Sequence, residues 1–242
     1  MSFFLLILGF ILFKGISFYG KDEFNREGYI SKSQTKCFEG FFVILVVLNP
    51  FNNDYIVPGV YDKAYIAFHD HMGQAIVAMF LFYSGYGMMT GIKRNGRNYI
   101  KTIPIRFINL LIQFDIAVII YIVWRAINGT TFTLSHYLLS LTGWLSVGNS
   151  NWFIFLTLVL YICLFAAFVP LLLTDKNANL HLYASLFIFS ALTFVYIVIM
   201  SCVGKESYWY DTAICFPAGA WFCVFKSKIE DIFMHSGTRY LV

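Results

Sequence analysis

Charged residues are what this chain lacks. Asp, Glu, Lys and Arg make up 12% of its 242 residues, about half the roughly 25% share of soluble domains. Helices with solvated, charged outer faces cannot be built from so few, which excludes a water-soluble globular fold. The net charge of +4 does not point to nucleic acid either, because Lys and Arg sit in short segments between apolar runs and form no basic stripe. Five cysteines (Cys37, Cys163, Cys202, Cys215, Cys223) are scattered without metal-ligand spacing, which indicates neither a disulfide framework nor a metal site; they read as small buried apolar side chains. There is no Walker loop, dinucleotide fingerprint, nucleophile elbow or zinc-protease helix. No repeat, low-complexity tract or Pro/Gly-rich linker divides the chain, and no inverted pair of broken helices suggests a secondary transporter.

What is abundant is apolar sequence: 59% of residues are hydrophobic and 20% aromatic. Apolar runs recur at Ser2 to Tyr19, Gly40 to about Val57, Gly73 to Ile92, Ile103 to Ile127, Trp152 to Leu173, Leu182 to Val203 and about Ala213 to Phe225. Most have the roughly 20 residues that a helix needs to cross about 30 Å of hydrocarbon. Helices are expected over strands because a lipid-embedded segment must satisfy its own backbone, and a barrel would show ten-residue alternation instead. The first run contains Lys14 and lacks a basic start and a small-residue cleavage site, so it reads as a retained span. Leu134 to Val147 is amphipathic and suits an interfacial or re-entrant helix. The expected fold class is therefore an all-α integral membrane protein, residues 1–242 forming a single membrane domain: a bundle of about seven transmembrane helices plus one interfacial or re-entrant helix.

Positive residues set the expected orientation. Lys21, Arg26, Lys32, Lys36, Lys93, Arg94, Arg97, Lys101, Arg106, Lys176, Lys226, Lys228 and Arg239 follow the odd-numbered runs, against only Lys63, Arg125 and Lys205 after the even-numbered ones. This asymmetry puts the N-terminus outside and the C-terminus in the cytoplasm of a multi-pass plasma-membrane protein.

Ionisable groups inside hydrocarbon are functional candidates because they are costly there. Asp115 lies near the middle of the fourth run with Gln113 close by. It either orients a catalytic base or binds a substrate hydroxyl, or else serves as a neutral or hydrogen-bonded structural carboxyl between helices. Arg106 is nine residues earlier, about 13.5 Å along an ideal helix, too far to pair with Asp115 directly. It either snorkels to lipid phosphate or binds an anionic substrate group. His69, Asp70 and His71 form the densest titratable cluster, expected in a loop ahead of the third run. Their i, i+2 spacing is poor for a metal, since the useful helical spacing is i, i+4, so no metal is expected. A histidine there is a candidate general base, with Asp70 fixing its tautomer, against a solvated loop cluster. His136, His181 and His235 stand alone. Asn128-Gly129-Thr130 matches a glycosylation acceptor, a pattern common by chance.

One resemblance gives these residues a frame. Thr35 to Pro50, with Gly40 opening an aliphatic run, is similar to the opening helix of the acyltransferase 3 family of membrane O-acyltransferases. Gly73 to Gly87, containing Tyr83-Ser84-Gly85, resembles the family's aromatic-Ser-Gly segment. Pro104-Ile105-Arg106 follows a basic loop, and Asn151-Trp152-Phe153 opens the fifth run as the family's Trp-aromatic segment does. The resemblance covers about 31–225 and is best over 31–173. The family's basic position falls on Glu39, with Lys36 one turn earlier, and its histidine position falls at or next to Pro50, which cannot titrate. The family also has more spans, so a truncated product is expected.

The resemblance implies transfer of an acyl group, acetyl in most members, from acyl-CoA to a hydroxyl of a sugar or cell-envelope glycan. It implies His71 or His69 as substitute bases, and Ser84, Asn151 and Trp152 lining the pocket, with Asp115 and Arg106 added as substrate-binding candidates from their position in hydrocarbon. Lys93, Arg94 and Arg97 would attract the phosphates of CoA, although their topological role already explains them. Lipid bilayer, acyl-CoA and a glycan or lipid-linked sugar are the implied partners, with no nucleic acid. Ser84, Asn151 and Trp152 also read as ordinary helix-packing residues. The alternatives are a catalytically inactive relative acting as a binding or partner subunit, and a small-solute transporter in which Asp115 couples.

Overall fold

The computed structural model describes residues 2–14, 30–31, 35–36, 38–40, 42–44, 63–173 and 178–234. Among them every regular element is helical. The order is α1 (Ser2–Phe13), α2 (Lys63–Asn95), α3 (Arg97–Ile100), α4 (Ile103–Ile127), α5 (Leu134–Leu141), α6 (Trp152–Phe168), α7 (Pro170–Leu173), α8 (Ala178–Cys202), a 3-10 turn (Ser207–Trp209) and α9 (Cys215–Met234). Three segments are long and apolar enough to cross a membrane: Gly73–Asn95, Arg97–Ile127 and His181–Cys202.

Of the remaining expected spans, the first two run partly or largely outside the described residues, and the others differ from their apolar runs for local reasons. Helix α1 is described for 12 residues, about 18 Å at 1.5 Å per residue. The run from Gly40 lies largely outside the described residues. Helix α6 is a shorter apolar helix because it stops at Phe168, two residues before Pro170, which has no N–H to continue the ladder. Helix α9 starts in the expected run but extends to Met234, and its second half carries Lys226, Lys228, Glu230 and Asp231. Those charges keep it from qualifying as an apolar span. The expected amphipathic helix is also shorter, ending at Leu141 instead of Val147.

The chain divides into two compact units, residues 1–80 with 225–242, and residues 81–224. In the first, Phe42 is buried and meets Phe80 edge-on at 5.7 Å between ring centres. Lys226 and Glu230, one turn apart on α9, lie 3.6 Å from each other.

In the second unit α6 packs against both α4 and α8. Leu156, Leu160, Leu164 and Phe168 of α6 are fully buried with Leu186 and Phe189 of α8 and Phe216 of α9. Phe189 and Phe216 meet edge-on at 5.6 Å. Helices α2 and α9 cross where neither has a side chain in the way: a Cβ on Gly85 would collide with the carbonyl of Phe216, and one on Gly219 with the carbonyl of Phe82. Paired small residues of this kind let helix backbones touch in lipid.

The outer side of α4 is uncovered. Only 11% of the most apolar stretch of Arg97–Ile127 is buried. Ile105, Ile108, Ile112, Ile116, Ile119, Ile120 and Val123 all lie exposed, an arrangement that suits lipid and not water.

Two turns at one end of this unit are set by glycine. Helix α5 ends with Gly143 at φ 79°, and Trp144 N–H donates back to Leu139 carbonyl at 3.1 Å. Helix α8 ends with Gly204 at φ 77°, and Lys205 N–H donates to Met200 carbonyl at 3.1 Å. Both are left-handed helix stops that satisfy an orphan carbonyl and fix the next residue. Gly204→Ala is expected to destabilise by about 1–2 kcal/mol, the usual cost of forcing a Cβ into that region, with Gly204→Asn recovering much of it. Thermal unfolding of the purified protein in detergent checks this.

Candidate functional site

The fourth helix reproduces its expected bounds, with Pro104 in its first turn and Asn128 as its C-cap. Phe114 and Val118 on its inner face are buried with Val147, and Ile122 and Ile154 pack against them. Asp115 lies beside that face and is half-buried. Its Oδ1 is shielded from solvent and has no hydrogen-bond partner. An ionised carboxylate whose oxygen stays in that state costs several kcal/mol. Gln113 is exposed on the same helix.

Arg106 does not reach Asp115. Its guanidinium lies 4.9 Å from the centre of the Tyr99 ring, a cation–π contact near the start of α4. Ser84 is half-buried next to Gly85 at the α2/α9 crossing. Asn151 precedes α6 and is 5% exposed, and its Nδ2 donates to Gly143 carbonyl at 2.5 Å. Its amide therefore ties down the turn after α5. Trp152, the first residue of α6, meets Tyr208 edge-on at 5.5 Å. The basic trio is exposed. Lys93 Nζ donates to Cys223 carbonyl at 3.3 Å, and Arg97 Nε to Leu171 carbonyl at 3.2 Å.

The histidine pair needs a correction. His69, Asp70 and His71 are not in a loop: the backbone is helical from Lys63 onward, because no Pro or Gly interrupts Lys63 to Met72. His136 has a structural setting: Nε2 is 3.0 Å from Ser146 carbonyl, and the ring stacks on Phe132 at 4.5 Å. Among the described residues no three His, Cys, Asp or Glu side chains converge as a metal site.

Two arrangements were not visible in the sequence. Lys205 Nζ lies 4.1 Å from the ring centres of both Trp144 and Trp209, and donates to Trp144 carbonyl at 3.3 Å. Phe155 closes the cluster, 5.5 Å from Trp144 and 5.6 Å from Trp209. Tyr196 hydroxyl donates to Trp209 carbonyl at 2.9 Å. Burial pushes the Lys205 ammonium below the usual lysine value, while two indole faces favour the cation. The only sequence signal was a Lys directly after a helix-stopping Gly, with Trp four residues on.

The second arrangement is a shallow groove of about 430 Å³ beside α4, lined by Leu110, Gln113, Phe114, Ala117 and Tyr121 and, across from them, Asn149, Ser150 and Ile154. One turn beyond Tyr121, Arg125 Nε donates to Val147 carbonyl at 3.1 Å, and its guanidinium lies where a side chain on Gly148 would be. Asp115 and Arg106 are not among the lining residues. Compared with models of protein families, with curated proteins and with solved structures, the chain matches none of them.

Proposed function

We propose that the chain is a multi-pass plasma-membrane O-acyltransferase of about seven spans, with its N-terminus outside and C-terminus cytoplasmic. It moves an acyl group, acetyl first among them, from acyl-CoA to a hydroxyl of a sugar or envelope glycan. Two features support the membrane reading. Lys93, Arg94, Arg97, Lys101 and Arg106 gather where α2 ends and α4 begins, and Trp124, Trp144, Trp152 and Trp209 gather where α4 and α8 end. Basic residues on the cytoplasmic side and indoles at the interface are the expected pattern.

The observation that carries the chemistry is the unpartnered Oδ1 of Asp115 in a bilayer-length helix. A substrate hydroxyl is the simplest donor for it. In the transfer, the acceptor's hydroxyl oxygen attacks the thioester carbonyl and its proton passes to a base. The C–S bond then breaks, the base returns that proton to the departing sulfur, and CoA leaves as the thiol. Incorporation of labelled acetyl from acetyl-CoA into envelope glycans is expected to fall about a hundredfold in Asp115→Asn, the order of loss expected when the group that positions the reacting hydroxyl is removed. Equal incorporation by Asp115→Asn would exclude the carboxylate from the reaction.

A second reading, a non-catalytic membrane partner of the same family, is favoured by how much of the candidate polar chemistry is used internally. Asn151 holds Gly143, Arg106 lies on Tyr99 and Arg97 holds Leu171. Absence of transfer by well-folded wild-type protein selects this reading.

A further inference from the structure

We infer that the groove along α4 holds one chain of an anionic bilayer phospholipid, with the phosphate on Arg125. Such binding requires α4 to lie in a bilayer and is independent of acyl transfer. From Leu110 to Tyr121 the groove runs eleven residues along the helix, about 16 Å, roughly half of a 30 Å hydrocarbon core. That is about the length of one extended acyl chain, lying across the middle of α4. Its walls are mostly apolar over the inner part, at Leu110, Phe114, Ala117 and Ile154 with Gln113 the one polar side chain among them, and more polar at the other end, at Tyr121, Asn149 and Ser150. A phospholipid has the same gradient.

Arg125 supplies the charge complement. It sits on the helix one turn beyond Tyr121, in the last turn of α4. Its Nε is committed to Val147 carbonyl at 3.1 Å, which orients the guanidinium against the Gly148 backbone beside Asn149. No acceptor among the described residues takes its Nη1 or Nη2 donors, which leaves the fork that matches phosphate oxygens. The isoleucine-covered outer face of α4 keeps the helix in contact with lipid throughout, so a chain reaches the groove laterally from the bilayer.

The test uses the full chain reconstituted in vesicles of equal phosphatidylglycerol and phosphatidylcholine, then released into mild detergent for native mass spectrometry. Wild-type protein is expected to retain phosphatidylglycerol over phosphatidylcholine. Arg125→Gln should lower phosphatidylglycerol retention by about fivefold to tenfold, the loss expected for one interfacial cation and its phosphate contact, and Arg125→Lys should restore only part of it, because it keeps the charge and loses the oriented fork. Ala117→Phe, which fills the groove without touching the charge, should lower retention of both lipids. Equal retention of the two lipids by wild type would overturn the proposal. So would an unchanged preference in Arg125→Gln, full retention by Ala117→Phe, or displacement of phosphatidylglycerol by a polyprenyl phosphate at substoichiometric amounts, which would assign the groove to a different lipid.

Discussion

Gly85→Leu and, separately, Gly219→Leu are expected to destroy the α2/α9 crossing and leave little monodisperse protein in detergent. The two helices meet backbone to backbone, and a single added carbon at either glycine collides with a main-chain carbonyl, of Phe216 or of Phe82. A flexible side chain swings aside; a helix carbonyl moves only with its helix. Overpacking that forces backbone shifts costs about 1–3 kcal/mol in ordinary cores, and a whole side chain driven between two helix axes lies at or above the top of that range. Gly87 is the internal control: it is on the same helix, and a Cβ added there would meet nothing within 4 Å. Gly87→Ala should therefore be neutral or stabilise by about 0.5–1 kcal/mol through helix propensity. The fraction of protein eluting as a single species after graded heating reads out all three variants. Comparable losses in all three would show that the crossing is not a contact in the protein.

Trp209→Ala carries the second large effect, a loss of about 3–5 kcal/mol as for other buried large aromatics. Trp209 is 6% exposed and contacts Trp144, Phe155 and the Lys205 ammonium at once. Its removal leaves a cavity and takes one of two π faces from a cation that burial already disfavours. Lys205→Met separates these contributions by keeping the apolar stem and removing the charge, and it should cost only about 1–2 kcal/mol. A double-mutant cycle between the two positions is expected to show coupling, because the two side chains touch. Additive losses would mean that the ammonium gains nothing from the ring.

How much of this was legible in the sequence depended on whether a feature is local. Helix α4 has its expected bounds because Pro104 and Asn128-Gly129 punctuate both ends and the run between them is apolar. Helix α9 departed because composition marks where hydrocarbon can be, not where a helix stops, and nothing between Phe225 and Met234 breaks the backbone. The histidine cluster was misplaced for the same reason. Titratable residues suggested a loop, but helix formation requires only the absence of a breaker over Lys63 to Met72. Asp115 was identifiable from its solvent alone, since a carboxylate in an apolar run stands out without any knowledge of packing. Asn151 shows the opposite limit. Its residue type allowed a substrate contact, and only the fold places Gly143 carbonyl against its amide. The Lys205 clamp and the Gly219 crossing depend on partners 61 and 137 positions away (Lys205 to Trp144, Gly219 to Phe82). No period or short motif encodes such distances.

The lysine clamp also has a bearing on the order of assembly. Its parts lie in three separate stretches, the turn after α5, the start of α6 and the turn beyond α8. While the ribosome is still making α8, Trp144 and Phe155 are already in place, but the cation and the second indole that cover them do not yet exist. The loop from α5 to α6 must wait with an incomplete aromatic surface until the chain has turned at Gly204. Contacts this remote in sequence close late because the ends must first be brought together. Variants of Gly204 or Lys205 should therefore delay the moment at which this end becomes protease-resistant during synthesis, even where the finished protein is only slightly less stable.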